Sequence, residues 1–161
     1  MDGKLITRRA CLIGSLVGAT LMSAGIAPAS AQTEAIQSQD TNIGGLVADI
    51  TQCKRKDGVL TLKVRVRNTS SEKVNIYFTD GLRAYDKYYL TAGDKKYFVL
   101  RDTEDKPLAT NENGDGYTNI DIEKDGSYTW WAKYPAPPAD VTSVTFYTSF
   151  APPFEDVPVT D

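Results

Sequence analysis

Hydrophobic and polar residues alternate with a period of two along much of the chain after residue 45. Segments 46–51 and 60–67 each place aliphatic residues at every second position. This period is typical of half-buried β-strands. Asp57-Gly58 lies between the two segments, and this dipeptide is a strong signal for a tight hairpin turn. The pattern therefore predicts a β-hairpin with one apolar and one charged face.

Shorter alternating segments follow at intervals of about ten residues, which is typical of all-β sandwiches. They lie at 74–78, 88–91, 96–100, 120–123, 127–133, 141–146 and 157–159. No stretch after residue 31 shows the 3.6-residue period of an amphipathic helix, so only a second sheet is available to cover each apolar strand face. We therefore predict an all-β antiparallel β-sandwich over residues 46–161, with a barrel as the alternative. Residues 32–45 are polar and are predicted to form a flexible linker.

The first 31 residues have the composition of a cleavable signal peptide. Lys4, Arg8 and Arg9 form a basic start, and residues 11–26 form a short, glycine-rich apolar stretch. Ala29 and Ala31 flank Ser30 in a small-residue cleavage site, so cleavage is predicted after Ala31. A transmembrane anchor is the alternative, but it would need about 20 continuous apolar residues.

The run from Thr7 to Leu12 (TRRACL) resembles the twin-arginine export motif, in which Arg8 and Arg9 are the signal residues. A lipoprotein anchor on Cys11 is the competing interpretation. A lipobox has an apolar residue three positions before its cysteine, where this chain has Arg8. We therefore predict a periplasmic or secreted protein with no stable membrane anchor after cleavage.

The charge balance bears on the class of partner. The chain has 18 basic and 21 acidic residues, a net charge of −3, and loss of Asp2, Lys4, Arg8 and Arg9 with the leader would change it to −5. An acidic protein of this kind is not expected to bind nucleic acid or an anionic membrane. Cys53 would be the one cysteine left. It could form no intrachain disulfide and is expected to be buried, with a reactive thiol as the alternative.

The chain contains no histidine, which excludes several kinds of active site. Serine and cysteine hydrolases of the usual type need an imidazole to move a proton. The usual zinc sites and histidine-ligated haem also require this side chain. Hydrolysis by a carboxylate pair remains possible in principle, but no two acids stand out as a pair. We therefore expect a protein that is not an enzyme.

Four segments carry a resemblance to a known family: LTLKVRVRN at 60–68, KYFVLRD at 96–102 with PLA at 107–109, TWWAKYPAPP at 129–138, and PFEDVPV at 153–159. Together they resemble exported bacterial immunoglobulin-like domains of unknown function. Similar domains occur beside outer-membrane-protein-A-like, peptidoglycan-associated domains. The resemblance covers roughly residues 46–161 and implies an immunoglobulin-like antiparallel β-sandwich.

One loop resembles the start of a calcium-binding loop. Asn111, Asn113 and Asp115 occupy positions 1, 3 and 5, and Gly116 occupies position 6, as in loops of the EF-hand type. The twelfth position, which should hold an acid, is Ile122. Weak calcium binding by these three residues is one hypothesis, and a turn-rich loop without metal is the other. No other cofactor is expected.

Trp130 and Trp131 are adjacent on a predicted strand, so their side chains must point to opposite faces. One is expected in the core and the other on a surface where it could contact a ligand, and both are candidates. The sequence therefore favours an exported, non-catalytic binding or envelope-accessory module that contacts an envelope or extracellular protein. The alternative is a small-ligand module that binds carbohydrate or calcium.

Overall fold

The computed structural model describes residues 34–80, 82–111 and 117–161, and this part of the chain contains strands and one 3₁₀ turn but no α-helix. It therefore has no helix that could span a membrane. The prediction of an all-β fold is confirmed. The elements are β1 (Gln37–Asp40), β2 (Leu46–Lys56), β3 (Val59–Asn68), β4 (Val74–Asp80), the 3₁₀ turn (Leu82–Lys87), β5 (Tyr89–Ala92), β6 (Lys95–Phe98), β7 (Tyr117–Ile122), β8 (Ser127–Pro135), β9 (Ser143–Tyr147) and β10 (Phe154–Pro158).

The first sheet has the strand order β1-β2-β3-β8, and all of its strand pairs are antiparallel. Its centre is the predicted hairpin of β2 and β3, in which Lys56 pairs with Val59. The two loop residues have φ values of 52° for Asp57 and 77° for Gly58. Positive φ at both positions is typical of the tight turns that match strand twist. The hairpin prediction is confirmed.

The second sheet has the order β10-β9-β5-β6, also antiparallel. A separate two-stranded ribbon is formed by β4 and β7. Tyr88, which precedes β5, donates a hydrogen bond from its hydroxyl to the carbonyl oxygen of Phe78 on β4. This bond ties the ribbon to the start of the second sheet.

Aromatic side chains fill the space between the two four-stranded sheets. The Trp130 ring on β8 lies 5.8 Å from Phe146 on β9, and 4.9 Å from Tyr88, between ring centroids. All three side chains have 0 % exposure. Because rings from both sheets are in contact, the inner faces of the sheets pack on one another. The arrangement is consistent with a β-sandwich.

Two irregular segments cover strand edges. The Leu100 N–H donates to the carbonyl oxygen of Lys133 at 2.8 Å, and the Lys133 N–H donates to Leu108 at 2.9 Å, so residues 100–110 lie along the outer edge of β8. At the other side, the Thr160 N–H donates to the carbonyl oxygen of Cys53 at 3.0 Å. Such covering leaves fewer unpaired backbone groups open to other chains.

The prediction of a flexible linker over 32–45 is wrong for residues 37–40, which form β1. This strand pairs with β2 in the register Gln37 with Ile50 through Asp40 with Val47. The Asn42 N–H also donates to Phe150 at 2.8 Å. The segment has no apolar period, so its conformation comes from the backbone partners that the edge of β2 offers.

Candidate functional site

The pairing of β2, β3 and β8 determines which side chains lie on the outer face of the first sheet. Cys53, Leu62 and Ala132 are adjacent in register and buried. Their chain neighbours therefore point to the opposite side. Away from the hairpin turn, five cations lie on that side: Lys54 on β2, Lys63, Arg65 and Arg67 on β3, and Lys133 on β8. Trp131 on β8 lies among them. These six residues are called the basic face below.

Trp131 is half-buried and pairs directly with Lys63 across the strands. The backbone N–H of Trp131 donates to the Thr110 hydroxyl oxygen at 2.8 Å. The backbone carbonyl oxygen of Trp131 accepts from the Thr110 N–H at 2.8 Å. Thr110 thus binds both backbone groups of Trp131, at the edge of β8 that faces away from β3. Trp130, the other predicted ligand-face candidate, is fully buried in the core, which removes it as a ligand residue. Trp131 stays a candidate.

Among the described residues, Asp49 on β2 is the carboxylate that pairs with cations of this face, and its side chain is only 1 % exposed. It accepts hydrogen bonds from Arg65 at 2.9 and 3.1 Å and from Arg67 at 2.5 and 3.0 Å. The Ser38 hydroxyl on β1 donates to it at 2.7 Å. Burial by itself would raise the pKa of Asp49, but the bonds from Arg67, Ser38 and Arg65 outweigh burial and lower it to about 2.

The three lysines of the basic face have a different environment from the two arginines. Lys54, Lys63 and Lys133 form no ion pair with a carboxylate among the described residues. Lys54 and Lys133 both lie beside Thr61, one on each side of β3. The basic face therefore carries five cations around the buried Asp49, while Lys56 near the turn and the exposed Asp40 on β1 lie on the same side of the sheet. The chain as a whole has a net charge of −3.

The outer face of the second sheet carries a row of aromatic rings. Phe98 pairs with Tyr89 across β6 and β5, and Tyr89 pairs with Tyr147 across β5 and β9. Tyr89 and Tyr147 are stacked, with centroids 4.6 Å apart and planes 13° apart. Phe98 lies 5.9 Å from Tyr89 and is 49 % exposed. These three residues are called the aromatic row below.

The sequence contains a pattern from which the outward rings of the aromatic row could have been predicted. Tyr88-Tyr89 at the start of β5 and Phe146-Tyr147 on β9 are pairs of adjacent aromatic residues. As with the two tryptophans, one ring of each pair must lie outside; Tyr89 and Tyr147 are the outer ones, and Tyr88 and Phe146 are buried. Cross-strand register then places the outer rings next to one another, and register is a tertiary property.

The predicted calcium loop is only partly within the described structure. Asn111 is described and half-buried, whereas Asn113 and Asp115 lie outside the described residues. Within residues 34–80, 82–111 and 117–161, no three side chains of His, Cys, Asp or Glu cluster as metal ligands would. Calcium binding by the loop at 111–116 stays a prediction.

Cys53 is buried under the first sheet with 0 % exposure. Burial raises the pKa of its thiol to about 12, and the nearby Arg55 lowers it only in part. The thiolate is the reactive form of cysteine, so a thiol of this kind is unreactive at neutral pH. This agrees with the expectation of a buried, inert cysteine. The export residues Arg8 and Arg9 and the cleavage residues Ala29 and Ala31 lie outside the described residues.

A scan against protein-family models and searches of the curated proteins and of the solved structures found no match to the chain. The resemblance to exported immunoglobulin-like domains therefore stays a prediction.

Proposed function

We propose that this chain is an exported, non-catalytic binding module with an immunoglobulin-like order of strands. The order β2-β3-β8, continued by the bridge between Ala109 and Ala132, corresponds to the A-B-E-D sheet of that fold. The order β10-β9-β5-β6 corresponds to the G-F-C sheet with an added C′ strand. β1 and the β4–β7 ribbon are additions to this pattern.

The ligand that fits the basic face is an acidic carbohydrate polymer. The observation that carries this proposal is the position of Trp131 among lysines that have no ion-pair partner. An indole offers a large apolar surface to a sugar ring, and the lysines attract carboxylate or sulfate groups. Lysine is depleted from protein–protein interfaces, which makes a protein partner less suited to this face.

The spacing of the lysines favours a polymer over a small anion. Lys54 and Lys133 lie on strands separated by β3, so their backbones are about 10 Å apart from the usual strand spacing. That separation exceeds the span of one carboxylate. A chain of sugars with an anionic group on successive units would contact both lysines while one unit stacks on Trp131.

Titration of the full chain, expressed for export, with polygalacturonate and with neutral dextran tests this proposal. We expect binding to the acidic polymer that weakens as salt is raised, and no binding to dextran. Trp131→Ala should weaken binding about tenfold, the loss of about 1.4 kcal/mol of contact. Lys124→Ala removes an exposed lysine in the turn between β7 and β8 and should change nothing. Absence of binding to polygalacturonate and to alginate would refute the proposal.

The proposed export rests on residues 1–31. In an export assay, we expect the chain recovered from the periplasm or medium to begin at Gln32. Replacing the pair Arg8→Lys and Arg9→Lys should leave the precursor in the cytoplasm if the twin-arginine pathway is used. An unchanged yield of processed protein would exclude that pathway and leave general secretion.

A second proposed function is contact with a protein through the aromatic row. Tyrosine and phenylalanine are enriched at protein interfaces, and nearly half of the Phe98 surface is exposed. A photoreactive residue at position 98 should crosslink a protein in the native envelope, while one at position 63 on the basic face should not. Equal labelling from both positions would contradict this assignment.

A further inference from the structure

The aromatic row is packed within itself, which limits what it can bind. One face of Tyr89 is covered by the stacked ring of Tyr147, and the Lys96 ammonium lies 4.5 Å from the Tyr89 centroid. A sugar ring needs an open aromatic face to stack on, and Tyr89 has none to offer at the centre of the row. The aromatic row exposes ring edges and the Phe98 side chain to solvent. Such a surface can pack against the side chains of a partner protein.

A bulge on β10 places two acids on the same outer face. Phe154 pairs with Phe146 and Val157 pairs with Val144, so two residues of β10 lie opposite one of β9. Phe154 and Val157 are buried, whereas Glu155 and Asp156 between them are exposed. Asp156 has a φ of 52°, a conformation that Asp tolerates better than most residues.

A second row of residues therefore crosses the second sheet beside the aromatic row, with charged residues at its two ends. Its register runs from Lys96 on β6 through Thr91 on β5 to Thr145 on β9, and the bulge acids follow on β10. The face thus has a cation, Lys96, on the edge strand β6 and two anions, Glu155 and Asp156, on the edge strand β10. None of the three has an ion-pair partner among the described residues.

We propose that the outer face of the second sheet binds a second copy of this chain about a two-fold axis that runs parallel to the strands between β5 and β9. Rotation about this axis turns the copy over and places its β6 above β10. Lys96 of each copy then meets Glu155 and Asp156 of the other. The aromatic row of one copy packs on that of the other, with Tyr89 over Tyr147. An interface of this kind is self-complementary, as two-fold dimers require.

The size of the face determines how strong the dimer is. Four strands of about five residues cover about 19 Å by 17 Å, a footprint smaller than the about 800 Å² per partner of a standard interface, so the contact is a weak one. We therefore expect a reversible dimer with a dissociation constant between about 10 and 100 µM. The inference rests on the second proposed function, that the aromatic row is a protein interface, and adds the identity of the partner.

Sedimentation equilibrium of the full chain, expressed for export, tests the inference through charge reversal. Lys96→Glu sets a glutamate against the bulge acids, and the pair Glu155→Lys and Asp156→Lys sets lysines against Lys96. Each variant should raise the dissociation constant of its own dimer at least about tenfold. The two variants mixed together should form a heterodimer, because opposite charges then face one another at both edges. Lys124→Glu makes the same charge change away from this face and should dimerise as the wild type does.

Circular dichroism of each variant shows whether its fold is kept, and the heterodimer is a readout that a misfolded variant cannot produce. A wild-type chain that stays monomeric up to about 1 mM overturns the inference. So does failure of the mixed variants to associate when the wild type dimerises. If the wild type is monomeric but position 98 still crosslinks another envelope protein, the second proposed function survives without the inference. If neither occurs, both fail.

Discussion

The outer faces of the two sheets cover the same inner core with opposite side-chain chemistry. On the outer face of the first sheet, Trp131 lies among cations, and Asp49 is the carboxylate that binds two of them, Arg65 and Arg67. On the second sheet, Tyr89 and Tyr147 stack at 4.6 Å, and the charged residues Lys96, Glu155 and Asp156 belong to the edge strands β6 and β10. The first face is therefore organised by one buried carboxylate, and the second by contacts between rings.

The difference separates side chains that stabilise the fold from side chains that are available for binding. Arg65 and Arg67 are held by Asp49, which in turn holds Ser38 of β1. Lys63 and Lys133 lie on the same face but take no part in that cluster. On the second sheet, the aromatic rings stabilise the fold by packing on one another. Lys96 on the edge strand β6 has no ion-pair partner among the described residues and is available for binding. Four measurements test this division.

Asp49→Asn should have the largest effect on stability. It leaves Arg65 and Arg67 without their buried counter-charge and weakens the attachment of β1. Loss of one partner from a buried ion pair costs about 3 kcal/mol when the other partners are partly exposed, as the arginines are. Urea unfolding measures this loss, with Asp40→Asn, an exposed acid on β1, as the control. Equal stability of the two variants would show that the cluster does not organise the first face.

Acid should destabilise the protein through the same carboxylate. The pKa of Asp49 is about 2 in the folded protein against its usual 3.8, so the unfolded chain binds the proton more tightly. The contribution of Asp49 is complete above pH 4 and is lost as the pH falls through about 2, a change of about 2 kcal/mol. Urea unfolding at several pH values measures it. The Asp49→Asn variant should lack this part of the pH dependence, and an identical curve would exclude Asp49 as its source.

Tyr147→Ala should have a smaller effect. It removes the stacked partner of Tyr89, and cross-strand aromatic pairs contribute about 1 kcal/mol. Thermal unfolding measures the change against Tyr77→Ala, because Tyr77 is 61 % exposed on the ribbon and has no ring contact of its own among the described residues. Equal losses in the two variants would mean that the aromatic row does not support the second sheet.

Lys133→Ala should have the smallest effect on stability. Lys133 is exposed and has no ion-pair partner among the described residues, so we expect a change below about 0.5 kcal/mol. The same variant should bind polygalacturonate less tightly than the wild type, because the basic face loses one of its cations. A large loss of stability would show that this lysine serves the fold instead.

Local pattern was sufficient to predict much of the fold. The two-residue period of segments 46–51 and 60–67 became β2 and β3, and Asp57-Gly58 became the turn between them. These features depend on neighbours in sequence, whose alternation and turn preference act before any distant contact forms. The same reasoning predicted that Trp130 and Trp131 point to opposite faces, and the structure has them so.

Tertiary structure decided what that pattern left open. It placed Trp130 in the core and Trp131 outside, because the second sheet covers only one face of β8. It ordered residues 37–40 as a strand, since the edge of β2 and the Asp49 side chain supply partners that a polar segment cannot supply for itself. Both candidate faces depend on cross-strand register, which brings Lys63 beside Trp131 and Tyr89 beside Tyr147. Register joins residues far apart in sequence, so the alternation of single strands does not specify it.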